Sequence, residues 1–223
     1  HNSADPTALA TAIIRGAFEY QGQKCSAASR AYIPGSIWDE TKKHILRMIF
    51  EIRTGNVTDL NNFVNAVIDE PAFDRIMSYI DKAKKSPDIE ILTGGKGDKS
   101  SGYFIEPTIL ITKDPHHITM EEEIFGPVIT IFIYDDDKFD ETLKLCDDTS
   151  PYGLTGSIFS LDKYAMIKAC RALRYSAGNF YINDKPTGAM VGQQPFGGAR
   201  ASGTNDKAGS HLNLLRWVSP RTI

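Results

Sequence analysis

The chain has 223 residues, of which 41% are hydrophobic and 24% charged, and its formal net charge is −3. This length and composition are typical of a globular protein with one full core, and they exclude a disordered chain. Basic and acidic residues alternate, so no positive patch predicts nucleic-acid binding. The longest apolar run, Val128 to Tyr134, is as long as a strand and too short to cross a membrane.

Periodicity and turn residues predict alternating helices and strands. Asp5 and Pro6 supply the cap and first-turn proline of the first helix. We expect the first helix to end at about Tyr20 and to be followed by a strand over 29–33, a helix opened by Ser36 and a helix after Pro71. The middle of the chain is expected to contain a strand over 89–92, a loop over 94–98, a strand over 103–111 that is broken at Pro107, and a strand over 128–134. The last elements are a helix capped by Asp136 and Asp137, a strand over 152–159, a helix that Ser160 caps and that ends at Ala172, and a strand over 179–182.

Strands separated by helices of crossover length predict an α/β fold. We expect an open, mainly parallel sheet with helices on both faces. The segment from Asn183 to Gly203 differs from the rest because it is long and rich in glycine. In such sheets ligands bind beyond the carboxyl ends of the strands, so this segment is a candidate substrate loop. A flexible surface loop is the alternative.

The three cysteines, Cys25, Cys146 and Cys170, are widely spaced and include no CxxC pair. Neither a disulfide framework nor a zinc site is indicated, and a reducing compartment fits. The adjacent histidines His116 and His117 have no further ligand at suitable spacing, so we expect a solvated turn there and no metal.

Local chemistry singles out Cys25 as a candidate nucleophile. It follows Lys24 at the end of a predicted helix, and an adjacent cation together with backbone NH groups favours the reactive thiolate. A buried, unreactive cysteine is the alternative, because free cysteines commonly pack as small hydrophobic residues.

Three ordered segments carry a family resemblance: 22–25 (GQKC), 122–128 (EEIFGPV) and 195–198 (PFGG). Together they resemble the catalytic domain of NAD(P)-dependent aldehyde dehydrogenases over nearly the whole chain. Finer features, at 18–20 (FEY), 183–185 (NDK) and 192–204, resemble the branch of that family that oxidises glutamate γ-semialdehyde to glutamate in proline catabolism.

The resemblance implies a role for each matching residue. Cys25 would be the nucleophile, with a hemithioacetal and then a thioester on its sulfur. Glu123 would bind the ribose of the nicotinamide and Phe125 would lie beside the nicotinamide ring, which makes NAD the implied cofactor. A solvated acidic turn is the alternative for Glu123, and ordinary core packing is the alternative for Phe125.

The same resemblance implies a subsite for the substrate carboxylate. It would consist of the Ser26 hydroxyl and backbone NH groups of Gly188 and Ala189, with Phe196 packed on the aliphatic part of the substrate. Ser26 could equally cap a turn.

The resemblance also sets the expected organisation. Residues 1–213 would be the catalytic domain and 214–223 part of a terminal oligomerisation strand. The dinucleotide-binding domain, the general base and the oxyanion-hole asparagine would lie upstream, so the chain alone is expected to be inactive. A homodimer in the mitochondrial matrix is implied, although no targeting segment is present.

Three alternatives remain open at this point, and one of them is a non-enzymatic binding or structural module. The substrate could be another aldehyde. A cysteine hydrolase is a different class of function, in which His211 would serve as the base for Cys25.

Overall fold

A computed structural model describes residues 1–223. It contains seven α-helices, ten strands and three short 3-10 turns. The helices are α1 (Pro6–Phe18), α2 (Gly35–Glu51), α3 (Glu70–Lys85), α4 (Ile118–Glu121), α5 (Phe139–Asp148), α6 (Lys163–Ala172) and α7 (His211–Leu214). The strands are β1 (Arg30–Pro34), β2 (Ile89–Thr93), β3 (Gly97–Asp98), β4 (Phe104–Ile105), β5 (Thr108–Thr112), β6 (Val128–Tyr134), β7 (Tyr152–Gly153), β8 (Thr155–Ile158), β9 (Asn179–Ile182) and β10 (Ala199–Arg200). The 3-10 turns are Glu19–Gly22, Asp136–Lys138 and Leu215–Trp217.

The main sheet has four strands in the order β1-β6-β5-β2. β6 pairs in parallel with β1 and β5, and β2 adds an antiparallel edge. β8 and β9 form a separate parallel pair. The predicted α/β fold with a mainly parallel sheet is therefore confirmed, but the strands divide into more than one sheet.

Helices cover both faces of the main sheet because its central strands alternate buried side chains between two cores. Ile129 of β6 faces the core made with α1 and α2, whereas Val128 faces the core made with α3. Neighbouring residues of a strand point to opposite faces, so an apolar run such as β6 needs cover on both sides. A third, smaller core joins α5, α6 and β8.

Caps explain most helix starts, and two predicted caps are wrong. Asp5 accepts a hydrogen bond from the Ala8 amide and begins α1 as expected. Asp162, and not Ser160, caps α6 by accepting from two backbone amides. Asp136 lies in a 3-10 turn and accepts from Ser36 instead of capping α5.

Other predicted boundaries shift by a few residues. The predicted loop over 94–98 ends in the two-residue strand β3, and the predicted strand over 152–159 is split into β7 and β8. Residues 214–223 contain the 3-10 turn Leu215–Trp217 and no strand, so their part in an oligomer stays a prediction. None of the helices combines the length and apolar content needed to span a bilayer.

Cys25 is one of the residues that line a cavity of about 450 Å³. Its lining includes every residue of β1 and β8, two strands that do not pair with each other. The edge of the main sheet and the edge of the β8–β9 pair therefore face one shared space, which the candidate nucleophile Cys25 also lines.

Candidate active site

Cys25 lies in a turn whose backbone is unusual. The preceding residues Tyr20, Gln21 and Gly22 all have left-handed backbone angles, with φ of 54°, 58° and 64°. Left-handed φ is uncommon for residues other than glycine, and it persists only where the surroundings hold it. The chain therefore reverses sharply at the end of α1 and presents Cys25 at the surface, where its side chain is exposed.

Two glutamine side chains hold this turn on the segment before α3. Gln21 is buried and donates to the Ala66 carbonyl oxygen at 3.2 Å, and Gln23 accepts from the Ile68 amide at 3.1 Å. Beyond the cysteine, the Ala27 amide donates to the Lys24 carbonyl oxygen at 3.0 Å. The turn is thus fixed on both sides of Cys25.

A close backbone contact joins the cysteine turn to the segment that precedes β6. A Cβ on Gly22 would lie 2.2 Å from the Gly126 carbonyl oxygen, so only glycine fits there. Phe125, next to this contact, has φ of 55° and is 36% exposed, and Glu123 is exposed. Both residues line the same cavity as Cys25. Ordinary core packing does not describe the exposed Phe125, whereas a solvated acidic turn remains an alternative for the exposed Glu123.

The electrostatic centre beside Cys25 is Glu19, which belongs to the 18–20 segment but to which the sequence assigned no role. Its carboxylate accepts from Lys185 at 2.8 Å and from Lys24 at 3.1 Å, and it also pairs with Arg15. Burial opposes its ionisation, but the hydrogen bonds from these three cations outweigh burial and lower the pKa of Glu19 to about 2. Lys24, expected to favour the thiolate of Cys25, therefore has its charge paired with a carboxylate.

The Lys185 contact connects the cysteine turn to the loop after β9. Ser26 strengthens this connection, because its buried hydroxyl lies 2.8 Å from the Thr187 hydroxyl. Gly188 follows with φ of 90° and is exposed, and Ala189 is half-buried. The structure thus brings Ser26 beside Thr187 and the 188–189 segment, and the carboxylate subsite stays a prediction. Ser26 begins no helix, but it lies in a turn, so a turn cap remains the alternative.

Phe196 is positioned by other contacts. It is half-buried and forms a two-way antiparallel bridge with Ala208. No hydrogen bond joins it to the cysteine turn. The lining of the 450 Å³ cavity includes Cys25, Glu123 and Phe125 but not Ser26, Gly188, Ala189 or Phe196. The predicted residues therefore form two groups, one lining the cavity and one on the loops beside it.

The remaining candidates have local structural roles. His117 accepts from the Thr119 amide at 3.2 Å and caps α4, and His116 lies within 3.0 Å of Glu121. No group of three or more histidine, cysteine or acidic side chains is arranged around a common point. His211 begins α7, is exposed and makes no hydrogen bond to Cys25, so the pairing that a cysteine hydrolase needs is not formed.

Comparisons with known proteins agree with this arrangement. The model of the aldehyde dehydrogenase family matches residues 1–223. The chain therefore belongs to the aldehyde dehydrogenase family.

Within the family it is similar to delta-1-pyrroline-5-carboxylate dehydrogenases. The mitochondrial protein of Dictyostelium discoideum is 62% identical over 223 residues, and that of Homo sapiens is 53% identical over 224 residues. In both comparisons all of this chain is covered, and it spans 40% of the relative's length. A crystal structure of the Mycobacterium tuberculosis enzyme bound with NAD has a TM-score of 0.91 and 49% identity, and covers all of this chain and 40% of that one.

Proposed function

We propose that this chain is the catalytic-cysteine part of an NAD-dependent dehydrogenase that oxidises glutamate γ-semialdehyde to glutamate in proline catabolism. The observation that carries the proposal is the position of Cys25. It is exposed on a turn that hydrogen bonds hold on both sides, it lines the same cavity as Glu123 and Phe125, and it is followed by Ser26, whose hydroxyl lies 2.8 Å from that of Thr187. The names of the similar relatives support the same substrate.

The proposed chemistry takes place on the sulfur of Cys25. Its thiolate adds to the aldehyde carbon and gives a hemithioacetal, whose developing oxyanion accepts from the Cys25 backbone NH. Bound NAD supplies the hydride acceptor that converts the hemithioacetal into a thioester. Water then hydrolyses the thioester to a carboxylate and returns the Cys25 thiolate.

The substrate's own carboxylate would be held at the loop pair beside the cavity. Ser26 can donate its hydroxyl proton, and Gly188 and Ala189 can donate backbone NH groups, because the left-handed glycine lets the chain approach a ligand closely. Phe196 would pack on the aliphatic carbons. These donors suit an aldehyde that carries a second, anionic end.

Glu123 and Phe125 suit the nicotinamide-ribose end of NAD. A carboxylate accepts hydrogen bonds from ribose hydroxyls, and an exposed aromatic face packs on a planar ring. Glu123 and Phe125 line the same cavity as Cys25. We assign the adenosine and phosphate contacts to an upstream dinucleotide-binding domain. A homodimer and a location in the mitochondrial matrix complete the proposal, and the names of several relatives include that organelle.

The test measures NADH formation by the full-length protein with a panel of aldehydes. Glutamate γ-semialdehyde is expected to give the highest kcat/KM, ahead of propanal and other aldehydes without a carboxylate. Cys25→Ser should reduce kcat by about 10³-fold or more, since a neutral hydroxyl is a much weaker nucleophile. Cys170→Ser is the matched control and should retain activity. Equal kcat/KM for all aldehydes, or an active Cys25→Ser variant, would contradict the proposal.

A further inference from the structure

Asn179, the first residue of β9, makes a pair of hydrogen bonds that the proposed chemistry leaves unexplained. Its Nδ2 donates to the Pro195 carbonyl oxygen at 3.1 Å, and its Oδ1 accepts from the Gly197 amide at 3.1 Å. One side chain thus binds the backbone immediately before and immediately after Phe196, as a neighbouring strand would.

The opposite side of Phe196 is held by backbone alone. The Phe196 amide donates to the Ala208 carbonyl oxygen at 2.9 Å, and the Ala208 amide donates back at 2.7 Å. Asn179 and Ala208 together therefore satisfy the backbone polar groups around Phe196. With the backbone fixed from two sides, little freedom remains for the ring except rotation about its own side-chain bonds.

The start of β9 is in direct contact with the backbone that follows Phe196. A Cβ on Gly178 would lie 1.8 Å from the Gly197 carbonyl oxygen, so the two backbones are in direct contact. Lys207 donates to the Gly178 carbonyl oxygen at 2.5 Å, and burial lowers the pKa of this lysine. Three backbone segments, 178–179, 195–198 and 207–208, thus meet around one aromatic residue.

β9 also connects this assembly to the rest of the site. The Asn179 amide donates to the carbonyl oxygen of Leu154, the residue before β8, at 3.0 Å, and this bond places the start of β9 beside β8. The residues of β8 and Cys25 line the same cavity. The other end of β9 leads to Lys185 and Thr187, which contact the cysteine turn. One short strand therefore places both the Phe196 turn and the Gly188 loop.

We infer that Asn179 is a positioning residue that sets the Phe196 ring against the aliphatic part of the substrate and so contributes to aldehyde selectivity. The inference rests on the proposed function. A displaced Phe196 ring loses packing contacts with the aliphatic carbons of the substrate, which weakens substrate binding and leaves the groups around the Cys25 sulfur in place.

The experiment compares Asn179→Ala and Asn179→Asp with Asn62→Ala in the full-length protein. Asn62 is a half-buried asparagine that donates to the Asn56 carbonyl oxygen at 3.0 Å, outside the site. Asn179→Ala should raise the KM for glutamate γ-semialdehyde about ten-fold, because the displaced ring packs less well on the substrate, with kcat changed less than about two-fold and the KM for NAD unchanged. Asn179→Asp keeps the acceptor for Gly197 but opposes the Pro195 carbonyl, so its KM should lie between. Asn62→Ala should change neither constant.

Hydrogen exchange of the 195–198 segment provides a second readout. Exchange there should accelerate in Asn179→Ala and remain at the wild-type rate in Asn62→Ala. Unchanged exchange, or faster exchange with an unchanged KM, overturns the inference.

The wild-type protein separates this inference from the proposed function. If wild type prefers another aldehyde, only the proposed substrate is contradicted. The KM for that aldehyde then decides, because a rise in Asn179→Ala supports the positioning role and no change overturns it. A wild-type protein that oxidises no aldehyde overturns both proposals.

Discussion

At the scale of single residues, the surroundings of Cys25 differ from what its sequence neighbours suggest. The sequence predicts that Lys24 acts on the thiol, but the lysine is paired with Glu19. Exposure separates Cys25 from the other cysteines more clearly, since Cys146 and Cys170 are both half-buried and burial raises the pKa of Cys146. The reactive role of Cys25 stays a prediction from the sequence, and the contact of its turn with Lys185 joins residues 166 positions apart in the chain.

Glu19 yields a prediction about stability and pH. Its pKa is lowered to about 2 in the folded chain, so it stabilises the fold above the unfolded value of about 4.3, and this contribution is lost as the pH falls through about 2. Glu19→Gln should therefore reduce the free energy of unfolding by about 1 kcal/mol at pH 6 after solvent screening, because Lys24 and Lys185 then repel each other. Urea unfolding at pH 6 and at pH 3 measures this, and the difference from wild type should shrink to about half at pH 3, which lies between the folded and unfolded pKa values of Glu19.

An exposed ion pair is the control for this prediction. Lys168 donates to Asp140 at 2.8 Å on the surface. Asp140→Asn should change the unfolding free energy by less than about 0.5 kcal/mol at either pH. Equal effects of Asp140→Asn and Glu19→Gln would show that the Glu19 cluster contributes no more than a surface pair.

At the scale of elements, local signals predict most of the structure. The apolar run of β6 and the short run of β9 have the bounds that the sequence indicates, and Pro107 separates β4 from β5 because proline cannot donate to a ladder. The start of α6 is missed by a few residues because Ser160 and Asp162 are both good caps, and only the fold decides between them. The left-handed turn at Tyr20 and Gln21 has no local signal, since tertiary contacts hold it.

Gly22 provides a prediction at this scale. Alanine there would have to adopt a left-handed φ of 64° and place its Cβ 2.2 Å from the Gly126 carbonyl oxygen. Gly192 has a similar φ of 80°, but a Cβ added to it would have no neighbour within 4 Å, so it isolates the cost of the backbone angle. We expect Gly22→Ala to destabilise the protein by about 3 kcal/mol and Gly192→Ala by about 1 kcal/mol. Thermal unfolding of the two variants measures the difference, and equal losses would mean that the Gly22–Gly126 contact is not rigid.

At the scale of the whole molecule, the sequence predicts the fold class and the order of the functional segments. The alternation of strands and helices leads to a mainly parallel α/β sheet, and three motifs lead to Cys25, Glu123 and Phe196. The division into separate sheets could not be predicted, because each strand alone carries no information on its neighbour. For the same reason Thr187 and Asn179, and the pairing of Lys185 with Glu19, are recognised only from contacts made across the fold.

The most direct test of the account is to trap the acyl group on the cysteine. The full-length protein is mixed with NAD and glutamate γ-semialdehyde, quenched in acid within milliseconds and digested, and the peptide that contains Cys25 is examined by mass spectrometry. The account predicts a glutamyl thioester on Cys25 that requires NAD and is absent in Cys25→Ser. A thioester on Cys146 or Cys170 would contradict it. Normal NADH formation in Cys25→Ser, with no modification of Cys25 in the wild type, would contradict it as well.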